Sequence, residues 1–247
     1  PFFLMFGTTS PHSPIVPQGK FQGVSGAGPY GDFIVQTDDA VGQVVAALKE
    51  AGVYDNTLLI VSSDNGPAPF MRELIQEHQH HPSGPLRGLK RDLLEGGHRV
   101  PFIASWPEGG VDGGRRIDAI LSLTDLFATI AGIAGAALEE GVAEDSLDIL
   151  PSLRSGQSVR TELVYHAASG KLGLRQGDWA YLRKGGITAE PEWFQKYWQG
   201  DSMNAPGLLF DLSGDLGQRK NLCDQYPERV ERMEAQLADI QKGTSTR

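Results

Sequence analysis

The sequence has one cysteine, Cys223, in 247 residues, so no disulfide can form within the chain. No apolar run approaches the roughly 18 residues that a membrane span needs. No Asn-x-Ser/Thr acceptor for N-glycosylation occurs. No basic stripe interrupts a net charge of −9, which argues against nucleic acid as a partner, since phosphate binding demands clustered Lys and Arg. An acidic chain can still hold an anionic ester where one local pocket reverses the sign. What is present is ordinary: 40% hydrophobic and 21% charged residues describe a globular protein without long disordered tracts. The length suits one large domain, or a medium domain with a small one attached.

The chain opens on Pro1-Phe2-Phe3-Leu4-Met5-Phe6, which reads as a strand buried on both faces and already under way, hence as a truncation, a fragment or an incomplete gene. A Pro/Gly-rich loop follows to Pro29. Val41, Val44, Val45 and Leu48 recur at helical spacing over 31–50, and Gly52 stands where a helix ends. Thr57-Leu58-Leu59-Ile60-Val61 predicts a second buried strand. Strand, helix, strand is a βαβ unit, so a parallel sheet is expected. A loop over 67–97 is too long for a mere connector. A third strand is expected over 99–106, then a helix opened by the capping-box pattern Ser122-Leu123-Thr124-Asp125 and stopped by Gly135. The stretch 139–158 is polar and turn-rich, and we place a boundary there: 1–138 as the C-terminal portion of an α/β catalytic domain, 139–247 as a small α+β subdomain. In the latter, antiparallel strands are expected over 162–166, 171–175, 179–183 and 208–212, with a hairpin turn at Gln176-Gly177-Asp178. A final helix runs from Pro227 to about Lys242 with Val230, Met233, Leu237 and Ile240 as its stripe.

Three stretches carry chemistry. Asp64-Asn65-Gly66 lies at the C-terminal end of a buried strand, where ligand sites of open α/β sheets gather. Its carboxylate and amide oxygens suit Ca²⁺ or Mg²⁺, although Asp-Asn-Gly is also ideal turn chemistry. Pro11-His12-Ser13-Pro14 holds a histidine in a stiff loop, able to donate a proton to a leaving oxygen or to bind an anion; taken alone, those residues read better as a surface histidine. Pro85-Leu86-Arg87-Gly88-Leu89-Lys90 and Glu95-Gly96-Gly97-His98-Arg99-Val100-Pro101 gather cations and glycines in an acidic chain, with Lys90 or Arg87 placed to neutralise an anionic substrate. The aromatic residues from Trp193 to Trp198 suit a sugar-binding rim or simple packing. His78, His80 and His81 read as a polar loop rather than a zinc site.

Taken in order, P-H-x-P, Tyr30-Gly31-Asp32, S-D-N-G, L-R-G-x-K, E-G-G-x-R-V-P, Trp106-Pro107, Arg175-Gln176-Gly177-Asp178-Trp179, Leu209-Phe210-Asp211-Leu212 and Asn221-Leu222 resemble the sulfatase family over nearly the whole chain. The resemblance implies an alkaline-phosphatase-like α/β fold, with a mixed or parallel sheet incomplete at the N-terminus. It also implies a sulfuric ester hydrolase acting on a sulfate-ester small molecule or a sulfated glycan. Asp64 and Asn65 match the divalent-cation ligands, usually Ca²⁺. Lys90 matches the sulfate-binding lysine, and His12 the histidine that contacts sulfate and assists the leaving group. The family's formylglycine, made from a C/S-x-P/A-x-R motif, has no counterpart here. Ser83-Gly84-Pro85-Leu86-Arg87 fits that pattern only by coincidence with the P-L-R-G-x-K match, and Cys223 lacks the required neighbours. Alternatives are a phosphatase or phosphonate hydrolase of the same superfamily, which typically shows Asp-His where this chain has Asp64-Asn65, and a non-catalytic binding chain derived from a sulfatase. Related sulfatases are commonly exported, so a periplasmic or secreted parent is expected by resemblance. Four expectations follow. Asp64, Asn65, Lys90 and His12 converge on one cleft; two metal ligands alone bind Ca²⁺ weakly; the chain alone has no meaningful turnover; and uncovered apolar sheet promotes self-association.

Overall fold

Glycines and prolines punctuate the chain where its helices begin and end. The computed structural model describes residues 1–203 and 205–243. Helix α1 (Gly28–Glu50) carries Pro29 in its first turn and stops where Gly52, at φ +68°, lets Val53 N–H reach back to the Leu48 carbonyl. That is a Schellman closure, which needs a left-handed residue. Helix α4 (Asp125–Ile133) ends the same way at Gly135, with Ala136 N–H on the Ala131 carbonyl. At its start the Asp125 carboxylate accepts the Ser122 N–H at 2.8 Å, the reciprocal half of a capping box. Between these helices lie β1 (Leu59–Ser62), the short helices α2 (Arg72–His78) and α3 (Glu95–His98), and β2 (Phe102–Ser105). Beyond them come α5 (Leu150–Ser155), β3 (Glu162–His166), β4 (Leu172–Gln176), β5 (Trp179–Arg183), α6 (Glu192–Trp198), β6 (Gly207–Asp211) and α7 (Pro227–Ile240).

The second sheet is an antiparallel meander in the order β3-β4-β5-β6. Gly177, at φ +54°, makes the tight turn that pairs Gln176 with Trp179. Alternation sorts the side chains onto two covered faces. Ala180, Leu182, Leu208 and Phe210 pack with Leu93 and Leu94 of the loop before α3. Leu174, Tyr181 and Leu209 face Met233 and Leu237 of α7. A third cluster joins Ile75, Leu89, Phe194 and Trp198.

Two expectations about the first sheet are corrected. β1 and β2 pair antiparallel, with Leu59 opposite Ser105 and Ser62 opposite Phe102, so no parallel βαβ ladder forms among the described residues. Residues 2–8 form no strand, and Phe2, Phe3, Leu4, Met5 and Phe6 are 60–85% exposed. An apolar run tells how a segment prefers to be buried, but neither the direction of pairing nor whether a partner lies within the same residues. The third strand is also shorter than expected, because Pro101 donates no ladder hydrogen bond.

Side-chain pairs cross position 138/139. The Asp125 carboxylate, fully buried in α4, takes a bidentate pair from the Arg160 guanidinium and the Leu147 N–H at 3.0 Å. Arg87 and Glu190 form a second buried bidentate pair at 3.1 and 2.5 Å.

Candidate active site

Asp64 and Asn65 sit in the bend that leaves β1. Gly66 N–H donates to the Gly97 carbonyl at 3.0 Å, and Lys90 N–H to the Pro67 carbonyl at 2.8 Å. These bonds draw the loop before α3 against the end of β1. The approach is close enough to fix residue identity. A methyl group on Gly66 would stand 1.8 Å from the Gly96 carbonyl oxygen, and one on Gly96 would stand 2.4 Å from the Gly88 carbonyl oxygen. Gly66 and Gly96 therefore serve backbone-on-backbone packing.

Asp64, Asn65 and Lys90 line one cleft of about 360 Å³, with His98 of α3 and His166 of β3 also on its walls. Asn65 donates its amide N–H to the Gly66 carbonyl at 2.9 Å, which leaves its side-chain oxygen free. The exposed Asp64 carboxylate accepts no hydrogen bond among the described residues. Lys90 is half-buried and forms no ion pair among them. His12 is not a lining residue. It is exposed, with Nδ1 donating to the Ser13 carbonyl at 2.8 Å, so that Nε2 is the nitrogen left free. Its loop is tied to α1, where Thr37 donates to the Ser10 hydroxyl at 2.9 Å. The structure thus brings together three of the four residues singled out from the sequence.

The other cations of this region have different tasks. Arg87 is consumed by Glu190 and cannot neutralise a substrate. Arg99 and Arg175 reach buried Glu95 at 3.0 and 3.4 Å, and His98 Nε2 lies 3.6 Å from the same carboxylate, an ion-pair rather than a hydrogen-bond distance. Burial pushes the Glu95 carboxyl up, but His98, Arg175 and Arg99 together outweigh it and bring it down to about 2. The His98 ring stacks on Tyr165 at 4.1 Å, and burial raises the Tyr165 phenol well above its usual range. Asp92 is buried, and its carboxylate accepts N–H groups from Thr188 at 2.6 Å and Leu89 at 2.9 Å. Burial raises its pKa, and those hydrogen bonds partly offset the rise. Sequence reasoning passed over His166 and His98, whose place in the cleft depends on long-range pairing.

Five further residues settle into structural work. Asp32 of the Tyr30-Gly31-Asp32 motif accepts N–H groups from Gly23 and Ser25 at 2.7 and 2.9 Å, which organises the loop before α1 and lowers its carboxyl pKa. Phe194 and Trp198 are core residues, so a sugar rim over 193–198 is reduced to the more exposed Trp193 and Tyr197. His81 packs edge-on to Trp198 at 4.9 Å, and burial lowers its pKa to about 4, with His80 adding to the shift. Burial, and secondarily Asp224, raises the Cys223 thiol, as befits a residue packed beside Leu174 and Leu209.

Comparison with known proteins agrees with this reading of the motifs. The family model described as Sulfatase matches residues 1–136. The chain is 33% identical over 245 residues to an N-acetylgalactosamine-6-O-sulfatase of Bacteroides thetaiotaomicron, covering 97% of this chain and 47% of that protein. It is 34% identical to arylsulfatase A of Bos taurus, covering 92% and 45%. A solved Bacteroides thetaiotaomicron structure, described with the metabolism of multiple glycosaminoglycans, superposes with a TM-score of 0.81 at 30% identity over 96% of this chain and 49% of that one. The chain spans about half the length of the curated relatives it matches. Its mixed α/β architecture with antiparallel sheets is that of the C-terminal half of an alkaline-phosphatase-like fold. The chain belongs to the sulfatase family.

Proposed function

We propose that this chain supplies one wall of a sulfuric ester hydrolase site that takes a sulfated sugar or another sulfate ester. The observation that carries the reading is the meeting of Asp64, Asn65 and Lys90 in one cleft, each with a polar group left free by the fold. Lys90 holds the charge of the sulfate group. A carboxylate and an amide oxygen side by side fit a hard divalent cation, Ca²⁺ or Mg²⁺. They are too few to complete a coordination sphere, and no group of three or more His, Cys, Asp or Glu residues suited to a metal occurs among the described residues. When bound, the cation supplies charge neutralisation at the sulfuryl oxygens. His12, with Nδ1 fixed on Ser13 and Nε2 free, is assigned to proton transfer at the ester oxygen. That role requires its loop to face the cleft from the α1 side.

The nucleophile is assigned to a formylglycine outside these residues, so the chain alone is expected to bind sulfate esters without turning them over. The Asp64-Asn65 pair favours a sulfatase over a phosphatase or phosphonate hydrolase. The relatives named above are a 6-sulfatase of an amino sugar and an arylsulfatase, which supports a sulfated sugar as the substrate class. Calorimetry with inorganic sulfate tests the site. Lys90→Ala is expected to weaken binding about tenfold or more, and Ca²⁺ titration is expected to give weak binding that Asp64→Ala removes. Hydrolysis of an aryl sulfate that disappears in Ser83→Ala would overturn the assignment of the nucleophile.

A further inference from the structure

Arg91 enters the same cleft immediately after Lys90, and no described residue pairs with its charge. It is exposed, lines the cleft, and forms no ion pair among the described residues. The neighbouring carboxylate, Asp92, is only 3% exposed and is already occupied by the Leu89 and Thr188 N–H groups. The other arginines close by, Arg87, Arg99 and Arg175, all have buried carboxylate partners.

The backbone at Arg91 adds an independent observation. Four other non-glycine residues have positive φ, at 49–52°, within the small left-handed basin that L-residues tolerate; Arg91 stands apart at 87°. Gly88, in the same loop, takes φ +99°, and glycine is the residue suited to such a position. The conformation is held from outside, because Ala168 N–H, just beyond β3, donates to the Arg91 carbonyl at 3.3 Å. An arginine therefore occupies a strained position against a cleft wall without contributing an ion pair to the fold. Strain of this kind persists where the surroundings enforce it, and it gathers at ligand-binding sites.

We propose that Arg91 is a specificity-determining residue that binds a second anionic group, a sulfate or a carboxylate, on the substrate whose scissile sulfate ester lies against Lys90. A guanidinium presents two parallel N–H donors to an oxyanion, which an ammonium cannot. Lys90 and Arg91 line one cleft of about 360 Å³, so the two anions belong on one sugar or on adjoining sugars. The preferred ligand is thus polyanionic. The inference rests on the sulfatase reading of the cleft.

Calorimetry on this chain at low ionic strength, with galactose 6-sulfate and galactose 4,6-disulfate as probes, tests it. The chain is expected to bind the disulfate on the order of tenfold more tightly than the monosulfate, the discrimination of one charge-assisted contact at a solvent-open site. In Arg91→Ala and Arg91→Gly that ratio falls to about one. Arg91→Gly also relieves the positive φ and raises the melting temperature by roughly 2–4 °C, which separates loss of recognition from loss of folding. Lys90→Ala weakens both probes. A disulfate preference that survives in Arg91→Ala, or a wild-type chain that binds both probes alike, overturns the proposal. A preference that depends on Arg91 while Lys90→Ala changes nothing overturns the sulfatase reading instead and leaves Arg91 as an anion contact of another site. A chain that binds neither probe overturns both.

Discussion

Replacing Glu95 by glutamine probes the charge arrangement beneath the cleft. The carboxylate is 1% exposed and faces Arg99, Arg175 and His98, with the Tyr165 phenol nearby. Its pKa falls from an ordinary 4.5 to about 2. At about 1.36 kcal/mol per unit, such a difference corresponds to roughly 3 kcal/mol of stability linked to ionisation. The sign follows from the direction of the shift. A carboxyl depressed in the folded state stabilises fully above its unfolded value, and that contribution fades as pH falls from about 4.5 toward 2. Urea denaturation of wild type and Glu95→Gln should therefore show a gap of about 3 kcal/mol at pH 6–7 that narrows steadily below pH 4.5, while the variant's own slope there is flatter. A gap that stays constant down to pH 3 would refute the reasoning, since stability would then depend on the shape of the side chain and not on its charge.

Arg160→Ala leaves the buried Asp125 carboxylate without its guanidinium and is expected to cost about 3–5 kcal/mol in urea denaturation; a loss under about 1 kcal/mol would mean that water replaces the arginine. Gly96→Ala drives a methyl group into the Gly88 and Leu86 carbonyls at 2.4 and 2.7 Å, so it should lower stability by roughly 2–4 kcal/mol and weaken inorganic sulfate binding by displacing Lys90; unchanged binding would show that Lys90 is positioned independently. The exposed run of Phe2, Phe3, Leu4, Met5 and Phe6, with Ile103 and Phe127 at 62% and 56% exposure, is proposed to be covered by a second copy of the chain. Sedimentation should then give a concentration-dependent mass that falls when Phe3 and Met5 become serine, and a monomer at all concentrations would contradict this.

The antiparallel meander was the most legible part of the fold. Period-two alternation and a glycine at each tight turn identify β3 to β6 to within a residue, because local chemistry determines both. The ends of α1 and α4 read equally well from Gly52 and Gly135. The direction in which β1 meets β2 was not legible, since an apolar run of four residues carries no sign. The site divides along the same line. Asp64, Asn65 and Lys90 stood out through an ordered set of motifs. Arg87 looked as available as Lys90 for binding an anion, until Glu190, about a hundred positions away along the chain, proved to hold it. The positive φ at Arg91 has no signature in the sequence, because it is held by a bond from Ala168, in the turn beyond β3 and far away along the chain.

The polar pairs that span the middle of the chain bear on how sulfatases can be recombined. A crossover at the compositional boundary, between 138 and 139, would part Arg87 from Glu190, Asp92 from Thr188, Glu95 from Arg175 and Gln218, and Asp125 from Arg160. Each of these is a buried contact in which one half alone is a liability. A chimaera joining one sulfatase's cleft loop to another's terminal sheet must therefore transplant these partners as matched sets. The lowest-risk graft carries residues 85–125 together with 160–218, even though the two segments are separate in the gene.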